Sequence, residues 1–356
     1  NMLIEGDQVG IVARWVKNIK IRWCVVIDSQ KFGMFTWQVD GMLVEDCVWD
    51  NNGRTGTYEH DIYHSGGKNT TYKGNIFSRG GNFGLKLRAN TENFKVEGNL
   101  FAQNRNDLNI HLDNDNVGTT SWSNSSFEVV NNVFTETGRT DQQMAIIVAH
   151  AKKGLVKDNL IAHANHTSGI GIYLAPGWQK ETCLSDLKIV QNTVANFEGR
   201  ALVYPAQATS VSNVLIERNI LTIPTQTKLQ PIVGIGTSFT GFTFKANLYR
   251  SKETSTKWFT VGGVMGDLTS WKTKSSESSP VTTDPKFADS TRTIGKYAGT
   301  LGGSATFDAF IKGARAQQQG NWYAAFTPAA VNKYMKAGFK PTVSLGSTQV
   351  GAVPGN

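Results

Sequence analysis

The 356-residue sequence predicts a right-handed parallel β-helix, a solenoid of three-strand coils with a small C-terminal cap that contains a helix. Three observations predict it. A short Asn-centred motif recurs along the chain. Apolar and polar residues alternate around each copy. The composition, with 36 Gly and only 18% charged residues, suits short strands and tight turns better than helices.

The motif comes first, because an internal repeat decides the architecture. It reads apolar, any, apolar, any, Asn, apolar, apolar or aromatic. Copies centre on Asn75, Asn99, Asn132, Asn159, Asn192, Asn219 and Asn247, and Cys24 and Cys47 fill the same slot upstream. The gaps between successive slots are 23, 28, 24, 33, 27, 33, 27 and 28 residues. A constant motif with a variable gap means a constant coil with variable loops. An inward Asn at a turn can pair its amide with the coils above and below, which satisfies polar groups that are costly to bury unpaired. Cys24 and Cys47 are expected to stack as buried free thiols, and Cys183 lies just before a strand.

Residues 1–250 form the coils in this reading. The repeat fades after Asn247, and 251–303, rich in Ser, Thr and Lys, reads as loop-rich final coils. Asp284-Pro-Lys-Phe287 resembles the closing segment of many β-helix proteins. Residues 304–356 read as the capping segment. Its helix has Thr327 as cap, Pro328 at its first position, and Gly338 and Phe339 at its end. This segment is expected to lie over the last coil and hide an open edge.

Hydrophobic residues make up 39% of the chain, enough for a long core. The net charge is +8 and the pI about 9.3, which favours a polyanionic partner. No Lys/Arg-rich run of the nucleic-acid type occurs, so an acidic polysaccharide is preferred to nucleic acid. No run of 18 apolar residues occurs, so no membrane partner is expected. Three cysteines make no disulfide framework. The chain starts with Asn, so a processed or truncated form is expected, with upstream coils or a cap missing. An extracellular monomer is the corresponding expectation.

Each coil also carries a strand upstream of the Asn turn. Stacked by pattern, these are Gly10–Arg14, Gly33–Trp37, Asp61–Ser65, Gly84–Arg88, 109–113, 146–150 and 171–175. The second and fourth residues should point inward, with His64 a polar exception. The first, third and fifth should point outward. The third column then runs Val12, Phe35, Tyr63, Lys86, His111, Val148, Tyr173, and the fifth runs Arg14, Trp37, Ser65, Arg88, Asp113, His150, Ala175. With coils about 4.8 Å apart and alternate residues about 6.8 Å apart, Tyr63, Lys86, His111, Arg88, Asp113 and His150 would share one patch. A merely solvated face would favour Ser, Thr, Lys and Glu.

Such a patch suits β-elimination of a uronic-acid polymer. One group must neutralise the C6 carboxylate, a base must take the C5 proton, and an acid should protonate the departing O4. Arg88 fits the first role, because its fork matches a carboxylate. Lys86 leads as base, with Arg88 and charged His111 lowering its pKa by repulsion. His111 is a rival base, since imidazole titrates near neutrality. Tyr63, or else Tyr173, could donate the leaving-group proton. Asp61, Asp113, His150, Tyr173, Trp37, His60 and Arg14 are the expected substrate contacts, with Glu59 beside His60. Trp37 and Trp178 could stack on sugar rings or simply pack. His163 and His166 read as surface residues. Asp113 and Asp115 could bind Ca²⁺, yet two carboxylates fall short of six to eight oxygens. No cofactor is therefore firmly expected.

The stretch from Tyr63 through Ser65-Gly66-Gly67 to Asn75, followed by Gly84–Arg88 and Val96–Phe101, resembles the β-helix polysaccharide lyases, including chondroitinase B and related alginate lyases. These carry a catalytic Lys before a Ser-Gly-Gly-Asn turn and an Arg in the next coil. The resemblance places Arg88 on the family Arg. The family Lys position holds His64 here, so Lys86, His64 and His111 stand as alternative bases. The Ca²⁺-binding Asn and Glu set of those lyases is not apparent. Alginate is the substrate that the resemblance implies. Three other readings stand beside it. A uronate C5-epimerase would share the carbanion, and Asp61-Ile-Tyr-His64 loosely echoes the Asp-Pro-His motif of those enzymes. An inverting hydrolase needs two carboxyls about 6.5–9.5 Å apart, for which Asp61 and Asp113 are the obvious pair. A non-catalytic glycan-binding β-helix would keep Trp37 and Arg88 without needing Lys86.

Overall fold

The computed structural model describes residues 2–352 except 7, 57, 112–125, 138–142, 165–167, 176–182, 206–209, 224–229, 237, 253–254, 319 and 346–350. It is a right-handed parallel β-helix. One face is a sheet of ten short strands, Leu3–Glu5, Val25–Ile27, Val48–Asp50, Ile76–Ser78, Leu100–Ala102, Val133–Thr135, Leu160–Ala164, Thr193–Phe197, Ile220–Ile223 and Leu248–Ser251. We call it the third face. The first face runs from Val9–Arg14 through the leading halves of Phe32–Glu45, His60–Lys73 and Phe83–Glu97 to Asn106–His111, Met144–Ala149, Ile170–Ala175 and Arg200–Tyr204. The trailing halves of the three long strands continue into the second face with Lys17–Arg22, Phe127–Val130, Ala151–Lys157, Cys183–Val190, Ser210–Glu217 and Phe242–Lys245.

The corners of the third face follow from single left-handed residues. Gly74 and Arg79 bracket Ile76–Ser78 with φ of 62° and 53°, and Asn131 and Glu136 bracket Val133–Thr135 with 60° and 53°. One such residue turns an extended chain sharply without a long loop. A non-glycine residue pays about 1 kcal/mol or more there, offset by the ladder that each corner positions.

In that ladder the Nδ2 of Asn75 donates to Asn99 Oδ1 at 3.0 Å and to the Val44 carbonyl at 2.9 Å. The pattern repeats through Asn132, Asn159, Asn192 and Asn219 to Asn247, and every one of these side chains is fully buried. Upstream, Cys47 N–H donates to Asn75 Oδ1 at 3.0 Å, and Cys24 N–H reaches Cys47 Sγ at 3.4 Å. Both thiols are buried and free, as the motif predicts. Glu277 ends the ladder, which the sequence pattern did not indicate. Its Oε1 accepts from Asn247 Nδ2 at 2.9 Å, and its Oε2 accepts from Tyr249 Oη at 2.8 Å and Trp271 Nε1 at 2.7 Å.

The two apolar residues after each Asn serve two different sides. Trp49, Phe77, Phe101 and Phe134 point into the cylinder, with successive Phe rings stacked at 4.7 Å. Val48, Ile76, Leu100, Val133 and Leu160 point outward, into a second apolar cluster with Phe310, Ile311, Val331, Met335 and Phe339. A parallel strand covered on both sides reads as a continuous apolar run.

That second cluster corrects the expected cap. Helices α2 (Ile294–Thr300), α3 (Phe307–Arg315) and α4 (Pro328–Gly338) supply its outer half, so the helical segment covers mainly the flank of the third face, and Leu345 reaches Leu248 on the last coil. The apolar outer side of that face requires cover along its length. Charge pins the arm in place. Arg315 grips Asp28 with Nη1 and Nη2 at 3.1 and 3.0 Å and also contacts buried Asp50, which Arg79 Nε holds at 2.8 Å. The last coil is closed instead from within 251–303, which is not merely loops. A hairpin of Phe259–Val261 and Val264–Gly266 and helix α1 (Leu268–Ser275) lie there, with Trp271 stacked 4.6 Å from Phe259.

Candidate active site

The first face presents two outward columns whose register the strand pairing fixes. One runs Val12, Phe35, Tyr63, Lys86, Asn109, Ile147, Tyr173 and Val203. The other runs Arg14, Trp37, Ser65, Arg88, His111, Ala149 and Ala175. The intervening residues Met34, Ile62, Leu85, Leu87, Leu108, Ile110, Ile146 and Val148 are buried in the cylinder core. Since successive side chains alternate sides, Lys86, Arg88, Asn109 and His111 therefore share the outer side.

The corner after this strand rests on Gly66-Gly67. Gly67 has φ of 112°, and a Cβ there would lie 2.0 Å from the Val39 carbonyl oxygen. Only glycine lets the chain turn against the preceding coil. This fixes where Ser65 ends and so where Tyr63 points.

Tyr63, Lys86 and Arg88 are half-buried. Lys86 Nζ lies between two rings, 5.7 Å from the Tyr63 centroid and 5.4 Å from the Phe83 centroid, which hold an ammonium by cation–π attraction. Tyr63 stacks in turn on Phe35 at 5.6 Å and on His60 at 5.5 Å. Buried His60 has its pKa driven well below the ordinary value, first by burial and then by the charges of Lys86 and Arg88. The stripe is thus a positive field on an aromatic bed. Toward the N-terminal end, Trp37 lies two rungs from Arg88 and is 42% exposed, and Arg14, one rung further, lies over Phe35 at 5.1 Å.

Several expected positions move. The strand at Asn109 is displaced by two residues from the pattern-based stacking, so Asn109 and not His111 sits beside Lys86. His111 moves to the neighbouring column beside Arg88 and stays on the same side, because a two-residue slip keeps parity. The strand at Ile146 slips by one residue, which exchanges its sides. Val148 is inside, Ala149 takes the outward place, and His150 forms the buried corner with φ of 49°.

Asp61 was expected on the outer side and is fully buried instead. Its Oδ1 accepts from Asn52 Nδ2 at 2.9 Å, and burial raises its pKa well above the carboxylate range. Asn104 and Asp107 repeat this pairing two coils later at 2.9 Å, with the Asp107 pKa raised by burial to about 7. Small residues or an Asp paired with Asn fill this crowded inner corner, so Asp61 cannot contact a polymer outside. His64 is inside the cylinder, with Nδ1 2.8 Å from Tyr72 Oη and a pKa lowered by burial to about 4. It is out of reach of a polymer on the outer face. His163 is not a free surface residue. Its Nε2 is 2.7 Å from the Arg292 carbonyl oxygen, and its ring meets Phe339 edge-on at 5.4 Å.

Asp113, Asp115, His166 and Trp178 lie outside the described residues, and with them the expected Ca²⁺ ligands and one member of the expected hydrolase pair; the other member, Asp61, is buried. Among the described residues no three His, Cys, Asp or Glu side chains converge as metal ligands. Tyr173 is three rungs from Lys86 along its column, about 14 Å at the usual strand spacing, whereas Tyr63 is adjacent. Asn109 was the residue missed as a neighbour of Lys86. It is 6% exposed, and its Oδ1 has no hydrogen-bond partner among the described residues.

No helix of the described residues is long and apolar enough to cross a membrane. The family model described as the right-handed β-helix region matches residues 3–134. No curated protein matches the sequence. A solved structure of an Arg-to-Ala variant of AlyGC, a PL6 family alginate lyase, is similar at 12% identity with a TM-score of 0.27, over 79% of this chain and 54% of that one. The chain thus spans about half the length of that protein. At that identity and TM-score the likeness carries no chemistry over to this chain. The comparisons and the strand pairing together describe a right-handed parallel β-helix with helices at its C-terminal end.

Proposed function

We propose that this chain is a polysaccharide lyase that cleaves a uronic-acid polymer by β-elimination on its first face. One observation carries the reading. Lys86 and Arg88 alternate on one outward strand, with Tyr63 beside Lys86 and His111 beside Arg88 on the adjoining rungs. Four groups able to bind a carboxylate and move protons therefore lie within one or two strand spacings.

Arg88 receives the C6 carboxylate of the sugar in a two-point hydrogen bond, which draws charge from C5 and makes its proton acidic. Lys86, as the free amine, removes that proton. The electron pair forms the C4–C5 double bond, the C4–O4 bond breaks, and Tyr63 protonates the departing O4. The phenolate then recovers a proton from solvent, and the Lys86 ammonium gives one up to solvent. His111 is the alternative base, placed by its register beside the carboxylate that Arg88 would hold. Trp37 and Arg14 provide a sugar contact two and three rungs away. Alginate is the first polymer to try, from the sequence resemblance. The chain is proposed to work outside the cell as a monomer.

The test is incubation with alginate, pectate and glycosaminoglycans while following the ultraviolet band of a C4–C5 unsaturated uronate. A rise supports the lyase and identifies the polymer. New reducing ends without the band would indicate a hydrolase. Hydrogen exchange at C5 without cleavage would indicate an epimerase.

A further inference from the structure

Where the third face hands over to the first, the loops of three successive rungs enclose a groove of about 450 Å³. Its walls carry Arg54, Arg79 and Arg105, and its floor carries Gly53, Gly56 and Gly81. The floor is bare backbone, because a Cβ on Gly81 would lie 1.7 Å from the Gly53 carbonyl oxygen. No carboxylate is among the lining residues. Glu59, next to Gly56, is engaged by Thr55 Oγ1 at 3.1 Å.

The three arginines differ in what holds them. Arg79 is committed to buried Asp50, with Nε and Nη2 at 2.8 and 2.5 Å. Asp50 also meets Arg315, so it has nothing left for a third cation. Arg54 and Arg105 make no ion pair among the described residues. They stand two rungs apart, about 9.6 Å along the axis at the usual strand spacing, so an anion between them can meet both forks. A planar or tetrahedral oxyanion fits such a pair better than a point ligand does.

We propose that this groove is a second oxyanion site, which takes a carboxylate or sulfate of an acidic saccharide. The saccharide as carrier rests on the function proposed above; the oxyanion rests on the arginine pair alone. Arg105 precedes Asn109, the register partner of Lys86, by four residues, roughly 13 Å along an extended strand, and precedes His111 by six. The groove is therefore separate from the Lys86–Arg88 stripe and could hold a distant part of the same polymer.

The experiment measures binding of end-labelled polyuronate and of a sulfated glycosaminoglycan by fluorescence anisotropy. It uses the full chain carrying R88A, so that the polymer stays uncut, with and without R54E/R105E. The expected result is at least a tenfold loss of affinity for one of the two polymers, with an unchanged thermal melt. Loss for the polyuronate assigns a carboxylate, and loss for the sulfated chain assigns a sulfate. Equal affinity for both polymers, with and without the double substitution, overturns the site. If the unsubstituted chain cleaves no polymer while R54E/R105E loses binding, the groove stands and the lyase reading falls. If cleavage is present while binding is indifferent to R54E/R105E, the lyase stands and the groove falls.

Discussion

Arg88 and His111 are register partners on adjacent parallel strands, on the outer side of the first face. The Arg88 guanidinium is proposed to hold the sugar carboxylate, so His111 is placed next to that carboxylate, while Lys86 lies two residues back along the strand between two aromatic rings. Lys86 thus adjoins the proposed anchor along the strand and His111 adjoins it across the rungs, where His111 is 1% exposed.

The choice between them is testable by single substitutions. With Lys86 as base, Lys86→Ala should lower kcat by about a hundredfold or more, the usual worth of a positioned base. His111→Ala should then cost about tenfold or less. The reverse order would make His111 the base. Initial rates of unsaturated-product formation on the best polymer decide it.

Asn109 should act on binding more than on chemistry. Its Oδ1 is buried beside Lys86 without a partner among the described residues, and an unsatisfied buried acceptor is available to a sugar hydroxyl. Asn109→Ala should raise KM by about tenfold, one hydrogen bond's worth, and change kcat little. Steady-state kinetics separate the two constants.

His64 should report pH through stability. Its folded pKa is depressed to about 4 from 6.5, so the unfolded chain binds the extra proton between those values. Neutral His64 therefore carries its full stability above pH 6.5, and this is lost as pH falls toward 4. Over that window the unfolding free energy of wild type relative to His64→Gln should fall by about 3 kcal/mol. Comparison with the variant is needed because Asp107, raised to about 7 from 3.8, loses stability in the opposite direction as pH rises. Denaturant unfolding at pH 7 and pH 4 gives both differences, and a flat difference would contradict the buried, neutral assignment.

The amide ladder should be most sensitive in its middle and at its end. Asn132→Ala strands donors and acceptors of Asn99 and Asn159 and should cost about 3 kcal/mol. Glu277→Gln turns an amide N–H₂ toward at least one of the three donors Asn247, Tyr249 and Trp271, and should cost about 2 kcal/mol. Thermal melts of both variants test this.

The coil architecture was legible because a buried Asn has few ways to be satisfied, so its spacing records the rungs directly. The outward placing of Tyr63, Lys86 and Arg88 was legible for a related reason, since Ile62, Leu85 and Leu87 between them are unmistakably apolar. Legibility failed where apolar residues run together. Ala145-Ile146-Ile147-Val148-Ala149 alternates no polar residue, so its sides could not be told apart, and His150 was misplaced with it. Asp61 failed because strand alternation breaks at the inner corner, where Asn52 Nδ2 donates to the buried Asp61 side chain. The flank-covering arm was missed because the outward Val48, Ile76 and Leu100 look, in sequence, like core residues.

The central claim is that an arginine on this stripe carries the carboxylate through the elimination. The direct measurement is absorbance of the unsaturated uronate produced by wild type and by Arg88→Ala from the same polymer, with folding checked by circular dichroism. The account predicts a rise for wild type and at least a hundredfold slower rise for the variant, the usual loss when a preorganised charge partner is removed. Equal rates for the two proteins, or no rise from any uronic-acid polymer, would contradict it.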